Sequence, residues 1–149
     1  MSESKDIVAK KLMDAFSRFH RLNLNRSPIE EVRFSELSVL YCLKHKVPAD
    51  SEGIKVSEIS SFLNVTSPTV TQLINSLEKN ELVERSIDKK DRRAVQIRLT
   101  PKGEKTIQEA INVFIESFHG LVDFLGEKES LQLAELLPQV YNYYNQIAV

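Results

Sequence analysis

The chain has 149 residues, 42% hydrophobic and 28% charged, which fits a single globular domain with its own core. No run of about 18 apolar residues occurs, and the opening MSESKDIVAKK has no apolar centre, so neither a membrane span nor a secretion signal is expected and the protein is read as cytoplasmic. The lone Cys42 excludes an internal disulfide and a cysteine-built zinc site, and four Gly and five Pro leave no long flexible linker.

Ile7, Val8, Leu12, Ala15, Phe16 and Phe19 mark one face of a helix near 5–24, which Asn23, Asn25, Ser27 and Pro28 end. A second helix is predicted from about Ser35 to Lys46, with Leu37, Leu40, Tyr41 and Leu43 inward. After a loop from Pro48 to Gly53, Ile54-Lys55-Val56 reads as a short strand. Ser57 then caps a helix from Glu58 to Leu63 that buries Ile59, Phe62 and Leu63. The next stretch, NVTSPTVTQLINSLEKNEL, places Ser67 at an N-cap and Pro68 at the first helical position. Its buried stripe is Val70, Leu73, Ile74 and Leu77, and Asn80 is expected to close it in a left-handed turn.

Leu82–Arg85 and Ala94–Leu99 read as two antiparallel strands, the second alternating with Val95, Ile97 and Leu99 on one face. Residues 86–93 between them are too many for a two-residue turn and are expected to protrude. Thr100 caps a long helix to about Phe124, with Ile107, Ile111, Phe114, Ile115, Phe118 and Val122 on one side. A last helix starts near Glu127 and carries Leu131, Leu133, Leu136, Leu137, Val140, Tyr141 and Tyr144; Pro138 should kink it or end its first part.

Helix, turn, helix and a hairpin with a charged tip make a winged helix, mainly α with a small antiparallel β-wing. The net charge of −1 conceals an asymmetry. From Arg85 to Lys102 there are seven cations against two acids, and from Glu104 to Val149 two cations against seven acids. Apolar helices at both ends exceed what a winged domain needs for its own core and point to a homodimer built from both termini.

At SPTVTQLINSLEKNELVER and DRRAVQIRLTPKG the sequence resembles the MarR family of bacterial transcription regulators, a resemblance that spans essentially the whole chain. The family's Leu-Val-x-Arg, Asp-x-Arg and Leu-Thr-x-x-Gly motifs correspond to Leu82–Arg85, Asp91–Arg93 and Leu99–Gly103. Glu81 departs from it, standing where the family usually has Gly, and so does Pro138. The resemblance implies a single domain over 1–149: a winged helix-turn-helix DNA-binding part at 33–100, flanked by dimerisation helices at 1–30 and 101–149. It further implies a homodimer on a pseudo-palindromic operator in double-stranded DNA, usually a repressor released by a small molecule or a redox signal.

A major groove admits one helix and meets the outward residues of its N-terminal half. Ser67, Thr69 and Gln72 are therefore expected at bases or phosphates, and Thr71, Asn75, Ser76 and Lys79 at phosphates. In the wing, the family resemblance puts Arg93 in the minor groove with Asp91 orienting it, while Lys89, Lys90 and Arg92 are expected at phosphates. The plain alternative is a solvated helix face and a solubilising tip. A winged-helix protein-interaction module is the competing class, disfavoured because polar Thr69, Thr71 and Gln72 are not apolar anchors.

Nothing points to catalysis, a cofactor or a metal: there is no Gly-rich phosphate loop, and His20, His45 and His119 are far apart. Cys42 sits among apolar neighbours and reads as an inert buried residue. Phe16, Phe19, Tyr41, Phe114 and Phe118 read as core, with an effector cavity as the second reading.

Overall fold

A computed structural model describes residues 2–87, 90 and 94–147. Six helices and three strands follow in the order α1 (Ser2–His20), α2 (Phe34–Lys46), β1 (Ile54–Lys55), α3 (Val56–Leu63), α4 (Ser67–Lys79), β2 (Val83–Ile87), β3 (Val95–Leu99), α5 (Pro101–Leu125) and α6 (Glu127–Ile147). The strands form one antiparallel sheet in the order β1-β3-β2. The wing is therefore three-stranded at its base: Ile54 pairs with Ile97, and Val83 to Ile87 pair with Leu99 to Val95.

The core lies where α2 meets α3, α4, α5 and the sheet. Leu40 and Leu43 of α2, Ile59 of α3, Ile74 and Leu77 of α4, Ile97 of β3 and Ile107 of α5 are all but inaccessible. Burying each such side chain stabilises the fold by about 1.5–3 kcal/mol. Of the residues expected inward or as core, Phe16, Phe19, Tyr41, Phe62 and Phe118 are instead 42–60% exposed. Val39 and Cys42 fill the core from α2, while Phe62 lies beneath the ammonium of Lys46, 5.2 Å from its ring centre.

Several boundaries differ from expectation. Val56 belongs to α3, and the extended residue before that helix is Lys55, not Ser57. Thr66, not Ser67, caps α4: its hydroxyl accepts from the Thr69 N–H at 3.4 Å, which places Pro68 within the first turn. Asn80 is not the left-handed residue at the end of α4; Glu81 is, at φ 63°. The Glu81 N–H bonds the Glu78 carbonyl at 3.0 Å and the Leu82 N–H bonds the Leu77 carbonyl at 2.9 Å, the pair of bonds that closes a Schellman turn. Helix α6 runs through Pro138 without ending there.

One residue joins the wing, the α4–β2 corner and the long helix. The Thr100 hydroxyl donates to the Glu81 carbonyl at 2.6 Å and accepts from the Gly103 N–H at 3.0 Å, while the Thr100 N–H donates to the Leu82 carbonyl at 3.1 Å. Gly103 packs so closely here that a Cβ would stand 1.9 Å from the Leu82 carbonyl oxygen. By contrast α1 and α6 bury no residue at all, and the outer parts of α1, α5 and α6 leave Leu12, Phe19, Phe118, Phe124, Leu136 and Tyr144 exposed.

Candidate nucleic-acid interface

Helix α4 presents two chemically different sides. Val70, Leu73, Ile74 and Leu77 are buried, whereas Ser67, Thr69, Thr71, Gln72, Asn75 and Lys79 are exposed. The sequence dictates this by spacing, since apolar residues three and four apart share one face and leave the other to polar groups. The N-terminal turn is stiffened locally. Thr66 and Thr69 share a hydroxyl–hydroxyl bond of 2.8 Å, and the Thr71 hydroxyl donates to the Ser67 carbonyl at 3.0 Å. Gln72 and Lys79 face solvent one turn and three turns further along.

Ser76 does not share the outer face, contrary to expectation. It is half-buried and donates to Glu36 Oε2 at 2.9 Å, so its hydroxyl is spent on α2 and leaves the set of outward contacts. Glu36, 3% exposed, accepts through Oε1 from both the backbone N–H and the Nε of Arg33 at 3.1 Å. Burial pushes its carboxyl up, but the bonds from the Arg33 backbone, the Arg33 guanidinium and Ser76 outweigh burial and hold it below the usual 4.5. Asn75 is exposed yet not independent: its Oδ1 accepts from Arg85 Nη2 of β2, and Arg85 Nε lies 3.5 Å from Glu78 Oε2. The polar side of α4 is thus fastened to the wing as well as to α2.

The cation count from Arg85 to Lys102 overstates the charge available outside the chain. Arg85 is held as above, Arg98 pairs with Glu84 across the strands at 2.7 Å, and Lys102 donates to the Asn80 carbonyl at 3.1 Å. Lys90 is exposed. Lys89, Asp91, Arg92 and Arg93 lie outside the described residues. Sequence reasoning assigned no role to Thr66 or Glu36, and it placed Arg85 in a family motif without its contacts to Asn75 and Glu78. The capping position of Thr66 was open to it from the threonine preceding Ser67, but no local pattern reveals that Glu36 meets a residue 40 positions away.

Other candidates separate. Cys42 is fully buried, and its thiol is pushed up to about 11 by burial, with Glu58 adding to the rise and Lys46 opposing it. It is a protonated, shielded thiol. Tyr41 meets His45 with ring centres 4.2 Å apart and planes tilted by 50°, and Phe114 meets Phe34 edge-on at 6.4 Å. Phe16 and Phe19 line an open groove of about 690 Å³ with Leu12, Met13, His20 and Tyr144, away from the other three aromatics named with them. Among the described residues no three His, Cys, Asp or Glu side chains gather as a metal site, and no helix is long and apolar enough to cross a membrane.

Comparison with known proteins adds to this geometry. The MarR family model matches residues 34–95. The chain is 35% identical over 106 residues to the HTH-type transcriptional regulator YsmB of Bacillus subtilis, covering 71% of this chain and 67% of that protein. It is 32% identical over 84 residues to the HTH-type transcriptional repressor MdtR of the same organism, covering 56% and 54%. The fold superposes on the S. aureus MepR–DNA complex with a TM-score of 0.65 at 28% identity, over 76% of this chain and 80% of the other.

Proposed function

The chain belongs to the MarR family of transcriptional regulators, and from that footing we propose that it binds a pseudo-palindromic operator in double-stranded DNA as a homodimer and represses transcription. The observation that carries this reading is the outer face of α4, where Ser67, Thr69, Thr71, Gln72, Asn75 and Lys79 stand exposed above a fully apolar seat. A helix fixed on one side and lined with short polar groups on the other suits insertion into a major groove. Gln72 is the base reader, through bidentate bonds to an adenine, while Ser67 and Thr69 meet base edges or the flanking phosphates. Thr71, Asn75 and Lys79 set register on phosphates.

In the wing, Lys89, Lys90 and Arg92 meet phosphates, and Arg93, oriented by Asp91, enters the minor groove. The largely exposed apolar rows of α1 and of the outer halves of α5 and α6 support dimerisation through both termini. That MdtR is named a repressor and MepR was crystallised with DNA supports the sign of control and the partner. Release by a small-molecule effector belongs to the same proposal, as does action in the cytoplasm.

Selection from a randomised duplex pool, followed by gel shift of the enriched sequence, tests the reading. The wild type should enrich a two-fold symmetric site, and its affinity should fall steeply between about 50 and 200 mM salt. Gln72→Ala should weaken binding by about 1–3 kcal/mol and relax preference at one base pair of each half-site. An affinity indifferent to salt, or no enrichment, sinks the proposal in favour of a protein-interaction module.

A further inference from the structure

Helix α4 is seated by Val70, Leu73, Ile74 and Leu77, but apolar burial has no direction and permits a helix some roll about its axis. Roll matters at this helix. At a tip radius of 5–6 Å, a rotation of about 20° carries an outward side chain by about 2 Å, enough to take it out of hydrogen-bond range.

Two polar contacts oppose that motion. At about 100° per residue, Ser76 lies on one flank of the apolar stripe, while Asn75 and Glu78 lie towards the other. Ser76 is tied to Glu36 of α2 at 2.9 Å, and Asn75 and Glu78 are tied to Arg85 of β2. The two sides are unequal. Arg85 works near solvent, where an ion pair is weak, whereas Glu36 is 3% exposed and is itself immobilised by two bonds of 3.1 Å from Arg33. The half of a capping box present here, Glu36 accepting from the Arg33 N–H, needs only one of the two carboxylate oxygens. Among the described residues the second oxygen accepts from Ser76, and a leucine of similar size would fill the space without the penalty of a buried charge.

We infer that Glu36 is a positioning residue for DNA readout: through Ser76 it sets the roll of α4 and hence the aim of Gln72 and Thr69, without touching DNA itself. The inference rests on the DNA-binding reading above.

The test compares Ser76→Ala, Ser76→Thr and Glu36→Leu, each checked by thermal melting, on two duplexes at one salt concentration. One duplex is the sequence enriched by the wild type and the other is its scrambled counterpart. Ser76→Ala should weaken the enriched duplex about tenfold and leave the scrambled one within about twofold, because phosphate contacts are untouched. Ser76→Thr keeps the donor and should restore discrimination. Glu36→Leu should lose it by the same factor, with no further loss on adding Ser76→Ala. An equal fall on both duplexes would mean that Ser76 serves a phosphate, and overturns the inference. An unchanged ratio overturns it too while leaving DNA binding intact. A wild type that enriches nothing removes the DNA-binding reading and this inference together.

Discussion

Glu81 holds a left-handed backbone at φ 63° although it carries a full side chain. A non-glycine residue there costs about 1–2 kcal/mol, and the Schellman bonds from Glu81 and Leu82 keep it in place. Glu81→Gly should therefore stabilise the protein by about 1 kcal/mol, after the greater freedom of glycine in the unfolded chain is set against the relief of strain. That is a rise of about 2–4 °C in Tm, read by thermal melting; a fall would mean that the glutamate side chain contributes more than its backbone costs. The sequence expectation put the left-handed residue at Asn80 because, glycine aside, Asn tolerates that conformation better than most residues. The hydrogen-bond register of the helix end outweighed intrinsic preference, moving the turn one residue on.

The elements around the site owe their order to a few close contacts. Gly103 permits the first turn of α5 to lie against the Leu82 carbonyl, with no room for a Cβ. Gly103→Ala should destabilise the fold by about 3 kcal/mol, visible as a lowered denaturation midpoint, because backbone rather than a pliable side chain would have to give way. A loss under about 0.5 kcal/mol would show that the joint relaxes easily. Much of this level was legible beforehand. The apolar stripe of α4, the alternation of β3 and the Thr-Pro start of α5 each follow from local spacing, and all three elements stand where they were expected. What was not legible was tertiary. The pairing of Ile54 with Ile97 adds a third strand, and the bond from Ser76 to Glu36 removes a residue that helical spacing alone placed near the outer face.

At the scale of the whole molecule, the proposed homodimer accounts for the apolar side chains that α1, α5 and α6 leave exposed. Leu12→Asp, on a helix that buries nothing of its own, should shift the protein from a dimer to a 17.1 kDa monomer in sedimentation with little change in secondary structure. A wild type already sedimenting at the monomer mass would refute the dimer. The hydrogen bonds of Thr100 carry a consequence for motion. Its 25-residue helix is about 37 Å long, and its first turns are fixed by Thr100, by Lys102 on the Asn80 carbonyl, by Lys44 beside Glu104 and by the burial of Gly103, Ile107 and Ala110. A tilt of about 5° at that seat carries the far end, where the proposed dimer contacts lie, through about 3 Å. Small angles at the α4–β2 corner thereby correspond to ångström-scale shifts at the opposite end of the helix.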